Sequence, residues 1–450
     1  LSSLHSVSRK RSHASSSRFE TVLQKICIRS ECPQFVIEDV IHCKCQVLLG
    51  YNALRLVNCI VGFTMKYKNV ELLAPAGCFP SLRAAIANGA DAVYFGLAQL
   101  NMRARARRSF DKSHLVEICA ICKEARVRSF LTLNTVMYEH DLKLCKTLLT
   151  EAKASGISAV IASDMAVATM ANELDIEVHL STQLSISNSE SIKFYAPLCD
   201  RIVLAREVTL QMIKTIYNKI VNEKICGRSG KLMEIEAFAH GALCIAVSGR
   251  CGMSLYSSNA SANRGACEQN CRKEYKVTDV ETGKEMIVDN NLVMSPNDIL
   301  TIDFIDEMLC SGVRVFKLEG RGRAPEYVGA ITKAYRTAID AVQAGTYSQE
   351  LARELKCEIE KVYNRGFSSG YYLGKKQGWS GAYGNKATRR KTRVGAVVNH
   401  FTKVDAIQID SIEVELVVGD EYVIIGNTTG AVTGVVDELR VEMSDEMESV

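Results

Sequence analysis

Glu71-Leu72-Leu73-Ala74-Pro75-Ala76-Gly77, then Pro80–Asn88, then Ala90-Asp91-Ala92-Val93-Tyr94-Phe95-Gly96-Leu97 is the stretch that decides the fold. A short apolar run, a segment of helical spacing and a second apolar run make one βαβ unit. The alternation then repeats. Strands are expected at Glu71–Ala74, Ala92–Leu97, Ser129–Leu133, Ala159–Ala162, Glu177–Leu180, Arg201–Ala205, Ile235–Ala239 and Val313–Leu318, with helices such as Pro80–Asn88 and His114–Arg126 between them. Alternating units imply a parallel sheet, and eight of them predict an α/β fold with a closed, TIM-like (β/α)8 barrel. An open doubly wound sheet is the runner-up, but no G-x-G-x-x-G follows the first strand to support it.

The rest of the chain is consistent with a globular protein of more than one part. Its 450 residues are 47% apolar and 24% charged, and no run of 18 apolar residues suggests a membrane span. Balanced charge argues against an obligate polyanion-coating protein. Seventeen cysteines in a chain of this size point to metal chemistry in a reducing, cytoplasmic setting rather than to a secreted disulfide scaffold. Residues 1–64 hold no Met, five cysteines, and eight basic against four acidic residues, which accounts for the whole net charge of +4. They read as a non-native upstream or disordered segment ahead of Met65, with a transit peptide as the alternative. The barrel is expected over 65–375 and a basic linker over 376–393, with Lys386–Arg393 suited to an RNA backbone or simply solvated. An accessory domain follows over 394–450. Strands there at Val394–Val398, Ala406–Ile409, Ser411–Val418, Glu421–Ile425 and Gly430–Val436, separated by turns, predict a small antiparallel β-barrel.

Polar residues gather where the barrel strands end. Asn134, Gln183, Arg206 with Glu207, and His240 follow the third, fifth, sixth and seventh strands, and Lys317, Glu319 and Arg321 alternate along the eighth. In a barrel these positions lie at the carboxyl face, where active sites are built, and residues two apart share a side of the strand. His240 is the candidate general acid/base because its free pKa lies near neutrality, and Glu319 is the second candidate. The loop after the second strand, Asn101–Arg108, carries Arg103, Arg105, Arg107 and Arg108. Such a run either cradles anions through bidentate guanidinium contacts or forms a solvated face.

After the seventh strand the spacing is C-x6-C-x15-C-x3-C, through Cys244, Cys251, Cys267 and Cys271. Four cysteines in a loop rich in Gly, Ser and Asn are poorly explained by core packing. Buried structural cysteines are expected instead inside apolar runs, as at Cys119, Cys145 and Cys310. Four thiolates suit Zn2+ or an iron–sulfur cluster, and the spacing does not choose between them.

Glu71–Gly77, Gly89-Ala90-Asp91-Ala92-Val93-Tyr94-Phe95-Gly96, His240–Cys244, Ser248–Cys251 and Lys317-Leu318-Glu319-Gly320-Arg321 together resemble the collagenase-like peptidase family U32, over about Val70 to Gly374. The C-x3-C ending at Cys271 is similar to the branch that hydroxylates tRNA at the wobble uridine; other relatives act on ribosomal RNA or in oxygen-independent ubiquinone synthesis. The resemblance implies a [4Fe–4S] cluster on Cys244, Cys251, Cys267 and Cys271, prephenate as hydroxyl donor and tRNA as partner. It also implies that Arg103 and Arg105 meet substrate carboxylates or RNA phosphates. Arg206, Arg250, Lys317 and Arg321 are further candidates for orienting an anionic donor. Proteolysis is the alternative, as is hydroxylation of ribosomal RNA. The chain has no H-E-x-x-H and no evident Cys–His pair beyond the four cysteines.

Overall fold

A computed structural model describes residues 69–105, 109–286, 294–381, 384–410, 413–443 and 446–449. The expectation for residues 1–64 lies outside the described residues, as do Arg107 and Arg108. Eight strands form the barrel: β1 (Glu71–Pro75), β2 (Ala92–Phe95), β3 (Arg128–Leu133), β4 (Ala159–Ala162), β5 (Glu177–Leu180), β6 (Arg201–Val203), β7 (Glu234–Ala242) and β8 (Val315–Leu318). Each pairs in parallel with its neighbour, β8 pairs with β1, and the β7–β8 pairing closes the cylinder. Helices α1 (Phe79–Ala87), α2 (Leu115–Glu124), α3 (Leu142–Ser155), α4 (Met165–Glu173), α5 (Ser189–Tyr195) and α6 (Leu210–Asn222) follow β1 to β6 in turn. Helix α7 (Ile305–Cys310) leads into β8, and α8 (Pro325–Ala344) and α9 (Gln349–Glu360) follow it. Local chemistry sets their starts. Asp164, Asn188 and Thr209 accept backbone N–H groups at the first turns of α4, α5 and α6, and Pro325 opens α8, where its missing N–H costs nothing.

Along the barrel strands, alternate residues fill the interior. Leu73, Ala92, Tyr94, Phe130, Ala159, Ile161 and Val315 pack together there. The layer toward the amino ends of the strands is ionic rather than aliphatic. Arg201, 1% exposed, bonds Glu71 Oε1 at 2.6 Å and Glu234 Oε2 at 2.7 Å, with Glu236 Oε2 3.7 Å away. Arg128 bridges Glu71 and Glu177 at 3.1 and 2.8 Å, and Glu177 also holds His179 at 2.7 Å. Burial would push Glu177 up, but His179 and Arg128 outweigh it and hold the carboxyl down at about 2. Breaking one such partner would strand a buried charge, so the pairs of this layer depend on one another.

A short strand, Asp298–Leu300, runs antiparallel to the extended end of β7, and Phe367–Ser368 pairs in parallel with it. The glycine-rich loop after it returns to the barrel, where buried Tyr372 donates its hydroxyl to Phe238 O at 2.8 Å. Three basic residues of the linker are engaged within the chain: Arg389 pairs with Glu421, Lys391 with Glu326 at 2.6 Å and Arg393 with Glu413 at 3.0 Å.

The C-terminal residues form three two-stranded antiparallel sheets, Ala396–Phe401 with Ala406–Asp410, Glu421–Gly426 with Gly430–Val435, and Arg440–Met443 with Glu446–Ser449. No pairing among the described residues joins them into a closed barrel. The strand expected at Ser411–Val418 is absent over its described residues, 413–418. Its alternation is instead used in a turn, where Asp420 accepts from Val417 N and Gly419 N bonds Val436 O. Among the described residues no helix is long and apolar enough to cross a membrane.

Candidate active site at the carboxyl end of the barrel

Strand β8 and the residues after it organise the barrel mouth. The inward line of Val315 and Lys317 continues through Glu319 to Arg321. Arg321 is buried and donates to Thr132 Oγ1 at 2.7 Å and to Asn101 Oδ1 at 3.0 Å, with its guanidinium 5.6 Å from the Tyr94 ring centroid. Burial lowers its pKa to about 10, which still leaves it a cation at neutral pH. Asn101 ties this group to the arginine loop, because the same Oδ1 accepts Arg103 N at 3.0 Å. Arg103 Nη2 reaches Glu319 Oε1 at 3.0 Å. Burial alone would raise Glu319, but Arg103, helped by Arg323 and Arg206, holds it down at about 2. Asn134 extends the rim by accepting Met102 N at 3.3 Å and donating to Gln183 Oε1 at 2.9 Å.

Gly241 permits the close crossing of β7 and the segment after β8. Its φ is +100°, and a Cβ there would stand 2.5 Å from Glu319 O. A bulge between Lys317 and Leu318 also steps the register, so that His240 pairs with outward-facing Leu318. His240 therefore does not stand open at the barrel mouth, where the sequence pattern places it. Its ring lies 6.0, 5.6 and 5.8 Å from those of Tyr327, Tyr335 and Phe367. Nδ1 is buried without a partner, and burial lowers the pKa to about 3, so the ring is neutral. An extra residue in one strand is invisible to a period-two reading.

Lys317 also sits deeper than the sequence pattern suggests. Its Nζ is 2.6 Å from Glu236 Oε1 and 4.7 Å from the Tyr94 centroid, one layer below the rim. Arg206 donates to Ala242 O at 2.7 Å and lies 3.9 Å over the Phe238 ring, while its Nε is a buried donor with no partner. Such an orphan needs an explanation, and an anionic ligand supplies one. Arg105 and Arg250 are exposed. Arg323, stacked 3.5 Å from the Tyr363 centroid, and Arg365, 3.2 Å from Asp298, join the basic surroundings without having been singled out in the sequence. The inward charges of β5 to β7 were missed as well, although Glu177/His179 and Glu234/Glu236 are spaced two apart in strands and carry the signal.

The four cysteines are held on an anchored excursion between β7 and the short strand at Asp298. Glu207 accepts Ser248 N at 2.8 Å and Ser248 Oγ at 3.0 Å. Arg264 pairs with Asp141 and donates to Val136 O, and Arg272 donates to Leu243 O at 2.7 Å and Ser295 Oγ at 2.9 Å. Gly265, at φ +86°, lets the excursion touch the arginine loop, since a Cβ there would collide with Asn101 O. Cys244, Cys251, Cys267 and Cys271 are all half-buried free thiols. Burial pushes the Cys271 thiol up and the adjacent Arg272 opposes it, with Cys244, Cys267 and Cys251 each within electrostatic reach. Cys267 in turn adds to the field on Arg103. Among the described residues no three His, Cys, Asp or Glu side chains stand in the arrangement of a ready metal site. The loop supplies a donor set of four soft sulfur atoms, and this set fits zinc or an iron–sulfur cluster.

Comparison with known proteins adds ancestry. The description "Peptidase family U32" matches residues 77–380. The chain is 47% identical over 380 residues to a collagenase of Porphyromonas gingivalis, covering 84% of this chain and 92% of that one. It is 31% identical to tRNA hydroxylation protein P1 of Bacillus subtilis, over 68% of this chain and 72% of that one. It is also 33% identical to the 23S rRNA 5-hydroxycytidine synthase of Escherichia coli, over 71% of this chain and 48% of that one.

Proposed function

Because the chain belongs to peptidase family U32, we propose that it is an RNA-modifying enzyme, one that adds a hydroxyl group to carbon 5 of the wobble uridine of tRNA with prephenate as donor. The observation that carries this reading is the junction of two features on one barrel face. A loop of four free thiols touches an arginine loop whose Arg103 feels both Glu319 and Cys267. Relatives named for tRNA and ribosomal RNA hydroxylation are 31% and 33% identical to this chain.

In this reading Cys244, Cys251, Cys267 and Cys271 hold a [4Fe–4S] cluster, which supplies one-electron chemistry when bound. The remaining residues bind and orient. Arg206, with its unpartnered Nε, and Arg321 present positive charge for the donor's carboxylates. Arg105 and Arg250 face solvent, where RNA phosphates would approach. Glu319 is ionised at neutral pH, so it can accept a proton but has none to give; its first role is to fix Arg103. His240 is neutral and caged, which suits positioning of the β7–β8 crossing rather than proton transfer to a substrate.

A second reading, peptidase activity, is favoured by the 47% identity to a protein named collagenase. Against it, His240 has no hydrogen-bonded nucleophile at Nδ1 and a pKa far below the working range of a general base. Anaerobic purification with iron and sulfide analysis, followed by incubation with denatured collagen, separates the two. About four iron per chain with intact collagen supports the hydroxylase. Metal-free protein that cleaves collagen, and loses this activity on mutation, supports the peptidase.

A further inference from the structure

The four cysteines are carried by unlike supports. Cys244 leaves a formed sheet: Ala242, two residues earlier, pairs with Asp298, and its carbonyl accepts Arg206 Nη1 at 2.7 Å. Cys251 and Cys267 are tied through one short helical segment, since Met253 N donates to Cys251 Sγ at 3.4 Å and buried Ser254 accepts Glu268 N, next to Cys267, at 3.0 Å. Cys271 sits in a single helical turn, Asn270–Arg272, outside the sheet. The residue after it reaches across. Arg272 Nη2 donates to Leu243 O, the carbonyl before Cys244, at 2.7 Å, while Nη1 donates to Ser295 Oγ at 2.9 Å and to Pro296 O. These acceptors are fixed points: Leu243 and Ser295 are buried, and Ser295 O accepts Ser380 N at 2.6 Å. One guanidinium therefore joins the stem of the first cysteine to the last cysteine.

Two further features fit this join. All three acceptors of Arg272 are uncharged, and Asp298, on the neighbouring short strand, is committed to Arg365 at 3.2 Å. A half-buried cation bonded to neutral groups thus stands beside four thiols, and the thiolates of a bound cluster supply its counter-charge. In addition, no three His, Cys, Asp or Glu side chains form a ready metal site among the described residues. What the bonds of Arg272 hold in place is main chain, from which the thiols close on the metal. Closing a long loop costs chain entropy, and a tie between its two ends made beforehand lowers that cost. We propose that Arg272 is a positioning residue for the cluster: its forked guanidinium clasps the chain at Cys244 to the chain at Cys271 and so holds the outer pair of ligands. The inference rests on the reading of the four cysteines as cluster ligands and is independent of the RNA substrate.

The test compares the full chain, purified anaerobically, with Arg272→Lys and Ser295→Ala. Lysine keeps the charge but lacks the rigid fork that spans two acceptors. Ser295→Ala removes one bond on the far side and leaves the reach to Leu243 O intact. The readouts are iron and sulfide per chain, the rate of iron loss to a chelator, and the electron paramagnetic resonance spectrum of the reduced protein. Arg272→Lys is expected to lose iron about tenfold faster, the lower end for contacts that orient metal ligands, and to show an altered line shape in the iron it keeps. Ser295→Ala should match the parent in both. Unchanged iron loss in Arg272→Lys overturns the proposal, as does faster loss with an unchanged spectrum, which means a looser loop without re-aimed ligands. Equal iron loss in the two variants also overturns it, because the far anchor and not the clasp then matters. So does an Arg272→Lys chain that circular dichroism shows to be unfolded without metal, which assigns the residue to the fold. If the parent carries no iron, the cluster reading itself fails; if the parent and Arg272→Lys hold iron equally, only this inference fails.

Discussion

Replacing Arg103 with Ala tests how the barrel mouth keeps a buried carboxylate charged. Glu319 is only 13% exposed, and its counter-ion lies 3.0 Å away. In the folded protein its pKa stands at about 2 against an ordinary 4.5. At about 1.4 kcal/mol per pH unit, that displacement corresponds to roughly 3 kcal/mol of stability at neutral pH. Arg103 itself is partly exposed, and Arg206 and Arg323 remain in the variant, so the expected loss is about 2 kcal/mol. The sign is fixed by linkage. A carboxyl whose folded pKa is depressed stabilises above its unfolded pKa, and that contribution drains away as the pH falls from about 4.5 toward 2. Urea unfolding of parent and Arg103→Ala at pH 7 and near pH 3 should therefore show a gap that is widest at pH 7 and much narrower in acid. Other carboxylates titrate in the same window, Glu177 among them, but they do so in both proteins and cancel in the difference. A gap of the same size at both pH values, or none at pH 7, would refute the reasoning.

Three further outcomes follow from the same geometry. Lys317→Met leaves Glu236 buried with its nearest counter-charge gone and should cost about 3–5 kcal/mol in urea unfolding, whereas the double variant Lys317→Met/Glu236→Leu should recover much of that loss. The imidazole signals of His240 in an NMR titration should stay at neutral-ring positions from pH 5 to 8, because its pKa is about 3; a midpoint between 6 and 7 would show that the aromatic cage is open. Gly265→Ala, which combines a φ of +86° with a collision against Asn101 O, should destabilise the contact between cysteine and arginine loops by about 1–3 kcal/mol. Limited proteolysis should then cut the excursion faster than in the parent, and an unchanged digestion rate would dismiss that contact.

Much of the barrel was legible because its outward residues and its helices follow simple periods. The strand expected at Ala159–Ala162 coincides with β4, and that at Glu177–Leu180 with β5. Val313–Leu318 begins two residues early, because Val313 and Arg314 are apolar or long-stemmed enough to extend the run but precede the first pairing at Val315. The cysteine spacing located the excursion, yet not the contacts that hold it, such as Ser248 on Glu207, since these join residues some forty positions apart. Two features misled the reading at the mouth. The bulge beside Lys317 and Leu318 turns His240 outward, and the ionic filling of the barrel takes Lys317 for Glu236. Both depend on pairing between strands, which a single sequence does not display. In the C-terminal part, turn chemistry around Gly419-Asp420 overrode an alternating run that looked like a strand.

If this chain hydroxylates tRNA through its four-cysteine site, mass spectrometry of nucleosides in tRNA from cells lacking the gene, complemented with the parent chain or with Cys251→Ser, will show it. Loss of 5-hydroxyuridine derivatives in the deletion, restored by the parent and not by Cys251→Ser, is the predicted result. Unchanged hydroxyuridine in the deletion strain, or full restoration by Cys251→Ser, would contradict it.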